Sequence, residues 1–292
     1  PSDPDLVRRA GVARPTTFFT PHGVSPGMQD AARFLADSPD RLALLTRLRT
    51  GAAGPAALAA DLDCARRSIQ RNLAAFVDRG WVERSDDGYQ LTTTGEYVAT
   101  THETYLDQLE RIDRFDPLLR QLDPEHAPPL ALLEDADLVV TTPEHPQAPV
   151  QAYVDHLTQF DADTVRMCSP VLSRSFHDAH ASLAMRGAHT TLVLPEATAQ
   201  KARDLNPREF ETILRIGPLD LYAHPDPIPV GLTIGENQLL VAAYDEDGHL
   251  EACLTTTNPE LVAWAEARFE HYRDHATPIE PGGGPPFGLG PQ

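Results

Sequence analysis

Between residues 53 and 97 the chain alternates helix, turn and hairpin signals so closely that few folds can accommodate it. Residues 56–62 read as a short helix, and Asp63-Cys64 marks a tight turn. Residues 65–79 read as a second helix. Its apolar residues Ile69, Leu73, Phe76 and Val77 recur at the spacing of a helix that buries one face, and Gly80 closes it at the C′ position. Residues 81–84 then pair with residues 89–91 across Ser85-Asp86-Asp87-Gly88. The Asp-Gly pair supplies the backbone that a hairpin turn needs.

Helix, tight turn, helix and small hairpin in that order predict a winged helix-turn-helix, which sets one helix in a DNA groove and a wing beside it. The second helix has a fitting polar side. Arg66, Arg67, Gln70 and Arg71 fall opposite the apolar stripe, in its first half. Arg can bind guanine O6 and N7 with two hydrogen bonds, and Gln can do the same at adenine N6 and N7. Ser68 and the helix N-terminal amides suit phosphate, and Arg84 sits on the wing. The competing reading is a surface helix with solvated arginines.

Charge supports the first of these. The chain carries 43 acids against 24 bases, a net charge of −19, with Lys201 as its one lysine. Residues 40–90 nevertheless balance at +1. An acidic chain that keeps a neutral, arginine-bearing segment at its helix-turn-helix is consistent with a local DNA surface. Acidity with arginine in place of lysine also fits a salt-loving archaeon, because at about 1 M salt the Debye length is only ~3 Å. A generic acidic protein with GC-rich coding is the alternative.

Three widely spaced cysteines, Cys64, Cys168 and Cys253, give no disulfide framework and fit a reducing compartment. No apolar run approaches a membrane span, and no signal peptide is read at the start. A cytoplasmic location is expected.

The chain divides by pattern. Residues 1–27 lack periodicity and read as a mobile arm, with a minor-groove role for Arg8, Arg9 and Arg14 as the alternative. Residues 28–95 are the helix-turn-helix domain. Residues 96–116 form a linker helix striped by Val98, Tyr105, Leu109 and Ile112, suited either to core packing or to pairing with a symmetry mate. Residues 117–276 alternate strands (137–141, 164–168, 190–194, 219–223) with helices (148–159, 173–187, 196–214) and close with antiparallel strands (230–235, 238–244, 249–256). A last helix, 259–273, is capped by Asn258. Residues 277–292 read as a disordered tail. The fold class is α+β: a winged helix-turn-helix followed by an α/β layered domain that ends in antiparallel strands and a C-terminal helix.

Several stretches resemble a known group. They are Cys168-Ser169-Pro170-Val171, Gly231-Leu232-Thr233-Ile234, Tyr244-Asp245-Glu246-Asp247-Gly248, residues 264–273, residues 66–73 and Gly80-Trp81-Val82. In this order they are similar to archaeal winged-helix regulators that carry the middle domain first described in a methanogenesis regulator, across roughly residues 38–275. The resemblance implies a DNA-binding transcriptional regulator whose second domain senses a small molecule or mediates assembly. It names no ligand and no binding residues.

An effector site is placed by topology, since ligands gather beyond the carboxyl ends of strands in open α/β sheets. Those ends are Thr141-Thr142, Ser169-Pro170 and Pro195-Glu196. Arg174 and His177 follow closely and could meet an anion, with Tyr153 and Tyr222 as a wall. His177 and His180, three apart on a helix, could share a metal, but no further ligand set completes the site, and a surface pair is the simpler reading. Cys64 beside Arg66 and Arg67 could be a low-pKa redox sensor or a small buried turn residue.

The sequence therefore predicts a sequence-specific regulator of double-stranded DNA, acting as a homodimer, with a possible small-molecule effector and no membrane partner. The DNA-binding residues are Arg66, Arg67, Ser68, Gln70, Arg71 and Arg84; the effector residues are Tyr153, Ser169, Arg174, His177 and Tyr222. No catalytic residue, metal or cofactor is expected. A metabolite enzyme with an accessory winged helix and a protein-protein adaptor are the alternatives. Neither a phosphate loop nor a nucleophile elbow favours the enzyme.

Overall fold

Proline sets where the first helices begin, because its fixed φ and missing N–H suit the first helical turn. The computed structural model describes residues 26–160, 162–172 and 176–282. These form two compact units that divide between Leu106 and Asp107. Residues 1–25 of the predicted arm, with Arg8, Arg9 and Arg14, lie outside the described residues; its last two, Pro26 and Gly27, open the first helix instead.

In the first unit, α1 (Pro26–Ala36), α2 (Pro39–Arg49), α3 (Pro55–Asp61) and α4 (Arg66–Asp78) precede a hairpin of β1 (Val82–Ser85) and β2 (Gly88–Leu91). The turn between α3 and α4 passes through Asp63, which takes a left-handed φ of 50°. Leu44, Leu45, Leu58, Ile69, Leu73 and Phe76 are fully buried in one core. Phe34 is held between two guanidinium groups, Arg79 at 3.8 Å and Arg41 at 3.9 Å from its ring centre.

Two details depart from expectation. Val77 is exposed, and Asn72 takes its place on the buried face of α4. The buried set is therefore 69, 72, 73 and 76, the i, i+3, i+4, i+7 stripe, and Val77 falls just off its edge. The hairpin turn is centred on Asp86-Asp87, with Ser85 facing Gly88. Gly88 opens β2 instead of forming the turn.

Helix α5 (Thr93–Leu119) is longer than the expected 96–116. It starts earlier because the Thr92 hydroxyl accepts from Gly95 N–H at 3.1 Å, an N-cap bond. It continues past Pro117, which falls in its last turn. Tyr105, Leu109 and Ile112 of the predicted stripe are exposed, and Val98 is half-buried.

The second unit is built on an eight-stranded sheet. Its strands are β3 (Asp137–Val140), β4 (Thr164–Cys168), β5 (His189–Pro195), β6 (Leu219–His224), β7 (Gly231–Ile234), β8 (Leu239–Tyr244), β9 (Leu250–Thr256) and β10 (Thr277–Pro278). They lie in the order β10-β6-β5-β4-β7-β8-β9-β3. β4, β5 and β6 are mutually parallel. β3 pairs antiparallel with β9 at the far edge, so it does not extend the parallel set as its place in the alternation suggested.

Helices cover both faces, as side-chain alternation along the strands requires. Cys168, Val193, Leu232, Ile234, Val241 and Leu254 face one core with α10 (Pro259–Asp274). Val165, Met167, Leu192, Leu194, Leu221 and Leu240 face the other. There they meet α6 (Ala148–Thr158), α7 (His177–Met185) and α8 (Glu196–Leu205). The Asn258 side chain caps α10 by accepting from Glu260 N–H at 2.9 Å.

The helix expected over 196–214 is two helices, α8 and α9 (Pro207–Ile216). Pro207 lacks an N–H and keeps Asn206 out of helical geometry (φ −145°, ψ 71°). The tail also begins later than read from composition. Thr277–Pro278 pair with β6, Ile279 N–H donates to Leu221 O at 2.8 Å, and Ile279 is buried. Among the described residues, no helix is long and apolar enough to cross a membrane.

Candidate nucleic-acid interface and ligand cleft

The arginines of the first unit differ in their partners. Arg47 pairs with Asp61 at 2.7 Å, Arg49 with Glu96 at 2.8 Å and Glu103 at 2.5 Å, and Arg79 with Asp30 at 3.1 Å. Arg66, Arg67 and Arg71 are exposed and have no ion pair or hydrogen bond among the described residues. Gln70 is exposed beside them, and Ser68 is half-buried one turn in. All five lie within the first six residues of α4.

That helix presents an open N-terminus. Its N-cap is Ala65, whose side chain makes no capping bond, and its first turn carries no acid. Free amide N–H groups, the positive end of the helix dipole and three unpaired guanidiniums thus share one surface. Arg84 on β1 is exposed and lies 5.7 Å from the Tyr89 ring centre. The hairpin tip is acidic, with Asp86 and Asp87 both exposed.

Cys64 does not match the redox-sensor expectation. Desolvation and then the Asp40 carboxylate push its thiol pKa up, which disfavours the thiolate. The other reading, a half-buried turn residue packed on the core, describes it.

The predicted effector residues do not come together. Tyr153 belongs to the core on the α6 face, where its hydroxyl bonds Thr233 Oγ1 at 2.9 Å and lies 3.4 Å from His180 Nε2. Its ring packs on Phe176 at 4.6 Å. Burial holds its hydroxyl neutral, with a strongly raised pKa. Tyr222 packs against the opposite core, with α10. Two residues on opposite faces of a sheet cannot wall one pocket. Ser169 is half-buried and closes its own loop, donating to Val171 O at 2.7 Å. His177 is the first residue of α7; its side chain and all of Arg174 lie outside the described residues.

A cleft of about 290 Å³ does lie beyond the carboxyl ends of the three parallel strands. Pro170 follows β4, Pro195 and Glu196 join β5 to α8, and Pro225 and Asp226 follow β6. Thr198 fastens one side, its hydroxyl donating to Pro170 O at 2.8 Å. Pro170, Pro195 and Glu196 were at strand ends named from the sequence. Asp226 and Thr198 were missed, although the end of β6 obeys the same rule. Thr141-Thr142 cannot join them, because β3 is at the far edge.

Asp245, Asp247 and His249 cluster in the β8–β9 turn, their ligand-type atoms within 4.8 Å of one another. These groups satisfy one another. Asp245 accepts from the N–H of Asp247 at 3.0 Å and of His249 at 2.8 Å, and its second oxygen meets His249 Nδ1 at 3.0 Å. The backbone bond from His249 leads the causes that lower the Asp245 pKa, while the carboxylate raises that of His249. The arrangement closes a hairpin.

Residues 146–275 match the family model of the middle domain of the methanogenesis regulatory protein FilR1. Residues 29–114 match that of the HVO_A0261 N-terminal domain. The two segments cover the helix-hairpin unit and most of the sheet unit. No curated protein matches the chain. Among solved structures, TrmBL2, an archaeal chromatin protein, is similar at 14% identity and a TM-score of 0.40, covering 86% of this chain and 99% of its own. Nuc of Salmonella typhimurium, a phospholipase D family member, is similar at 13% identity and a TM-score of 0.41, covering 50% of this chain and 99% of its own. At these scores neither likeness assigns an activity.

Proposed function

We propose that this protein is a transcriptional regulator that binds double-stranded DNA as a homodimer, through the exposed face of α4 in a winged helix-turn-helix. The observation that carries this reading is the set of unpaired guanidiniums of Arg66, Arg67 and Arg71 on a chain of net charge −19. Acidic partners abound in this chain, and Arg47, Arg49 and Arg79 take them. Three neighbouring arginines left without one, at the amino end of a helix, suit phosphates and guanine edges. The match of residues 146–275 to a domain of a regulatory protein supports the same reading.

The acidic remainder repels DNA at low salt. A high-salt cell screens that repulsion, and the arginine-for-lysine composition suits such a cell. In this reading the proline-walled cleft takes a small effector. Its Glu196 and Asp226 favour an apolar or cationic molecule over a multiply charged anion. No catalytic step is assigned.

The test is selection of bound sequences from random duplex DNA in about 1 M salt, with the Arg66→Ala, Arg67→Ala, Arg71→Ala triple variant as control. The wild type should enrich a two-fold symmetric motif and the variant should enrich none. Surface substitutions of this kind change stability by only about ±0.5 kcal/mol, so loss of the motif reports on contact. Equal enrichment by both proteins would remove α4 as the reading helix.

A further inference from the structure

Asn72 sits in the buried stripe of α4 with 3% of its surface exposed, while the apolar Val77, just past the stripe, is 38% exposed. The apolar residues of this helix, Ile69, Leu73, Phe76 and Val77, define a different stripe. At 3.6 residues per turn its centre lies about 35° around the helix axis from the stripe that is buried. Hydrophobic burial by itself favours the turn that covers Val77 and returns the Asn72 carboxamide to water.

Arg41 of α2 opposes that turn. Its Nε donates to Asn72 Oδ1 at 3.5 Å, and its Nη1 donates to Phe34 O. Its guanidinium lies over the Phe34 ring, 3.9 Å from the centre. Phe34 in turn meets Phe76 of α4 edge-on, with ring centres 5.9 Å apart. Asn72 is thus tied to α2 and, through Arg41, to α1.

The rotation held in this way decides which side chains face outward. Arg66, Gln70 and Val77 follow one another at spacings of four and seven, so they lie along one side of α4. Turning Val77 inward would carry Arg66 and Gln70 toward the body of the unit. Arg67 and Arg71, on the far side, would stay outward.

We propose that Arg41 and Asn72 are positioning residues: the contact between them sets the rotation of α4 and so presents Arg66 and Gln70. A single buried Asn can fix the register of a helix at some expense of stability. The rotation rests on these contacts alone, and its bearing on DNA rests on the function proposed above.

The experiment uses the full chain with Cys64→Ser, which leaves only the buried Cys168 and Cys253. Val77→Cys then supplies a thiol at the edge of the stripe. Arg41→Met keeps a long stem on Phe34 but removes the donor, so Asn72 should turn out and position 77 should turn in. Reaction of that thiol with an alkylating reagent should slow by about 10-fold, since burial makes cysteine inert. Asn72→Ala, which places the strongest helix former there, should slow it equally. Arg41→Lys, which keeps a donor, should slow it less. Unchanged reactivity in Arg41→Met or Asn72→Ala overturns the proposal. So does loss of helix in Asn72→Ala by circular dichroism, because the pair would then hold the core together instead of choosing its rotation.

DNA binding gives a second readout. Arg41→Met and Asn72→Ala should bind random duplex about as the wild type does, because Arg67 and Arg71 still face phosphates. Their preference for the selected motif should fall by about 10-fold, within the worth of one bidentate base contact. Undiminished preference in a chain whose position 77 has turned inward overturns the presentation of Arg66 and Gln70. A wild type that selects no motif, with reactivity falling as expected in the variants, leaves the rotation standing and removes the nucleic-acid reading instead.

Discussion

Gly88 lies against the backbone of Ala53 with no room for a side chain: a Cβ there would stand 2.5 Å from the Ala53 carbonyl carbon and 2.6 Å from its oxygen. The approach is fixed by two hydrogen bonds, Ala53 N–H to Tyr89 O at 3.1 Å and Tyr89 N–H to Ala53 O at 3.0 Å. Gly88 also holds a φ of +127°, where any other residue is strained. Gly88→Ala should therefore detach the hairpin from residue 53 and destabilise the first unit by about 2–3 kcal/mol. Chemical denaturation measures this. A loss below about 0.5 kcal/mol, the level of a neutral surface change, would show that the bridge contributes nothing.

Tyr153 offers a test of whether the sheet unit keeps its ligand site at the cleft or inside the α6 core. Tyr153→Phe removes the hydroxyl that bonds Thr233 Oγ1 and leaves that buried oxygen short of a partner. Loss of one such bond costs about 1–2 kcal/mol. The thermal midpoint should fall, while the affinity of any effector identified for the cleft stays unchanged. Asp226→Asn should do the reverse for a cationic effector, weakening it with little change in stability. An effector lost with Tyr153→Phe and kept with Asp226→Asn would return the site to the core.

These residues also mark the limit of what the sequence discloses. Helices α4 and α10 and the strands β3 to β9 are legible, because apolar period and the Asn258 cap are local signals; β10 is not, because its two residues sit in a stretch that reads as tail. The exposed α4 arginines were legible for the same reason: the stripe that buries Ile69 and Phe76 leaves residues 66, 67 and 71 outward. Sheet order was not. Nothing within residues 137–140 says that they pair with β9 and not with β4. The face that a residue takes in a sheet depends on the parity of the register. Tyr153 and Tyr222 therefore read as one wall from their expected place in the fold, although the sheet separates them. The split at Asn206-Pro207 does carry a local signal, because a proline holds the residue before it out of helical geometry even where the apolar period runs on.

Solution pH should act on the β8–β9 turn. His249 has a raised pKa in the folded state, so its contribution is full below the usual imidazole value of about 6.5 and is lost as pH rises through the folded value. Asp245 has a lowered pKa, so its contribution is present above the usual carboxylate value of about 3.9 and is lost as pH falls through its folded value. Both contributions hold together between those limits. The pair is exposed, so salt should weaken it. In an NMR titration at low salt, His249 should titrate above free imidazole, and Asp245→Asn should bring it back down. An unchanged titration in that variant would remove the carboxylate as the cause.

The hairpin tip should limit DNA affinity. In the function proposed above the β1–β2 hairpin is the wing and lies beside the groove; its turn is Asp86-Asp87, both exposed. Two carboxylates near phosphates repel them, and at low salt that repulsion reaches about 10 Å. Converting both to asparagine preserves turn propensity, since Asn and Asp suit the same turns, so stability should hold while DNA binding tightens by about 3- to 30-fold at 0.1 M salt. The gain should shrink as salt rises, because screening already suppresses the repulsion. Arg84→Ala, one strand residue from the tip, should act in the opposite direction. Titrating labelled duplex at two salt concentrations separates the terms. A double asparagine variant that binds no tighter than the wild type at low salt would place the tip away from the phosphates, leaving contact to α4 alone.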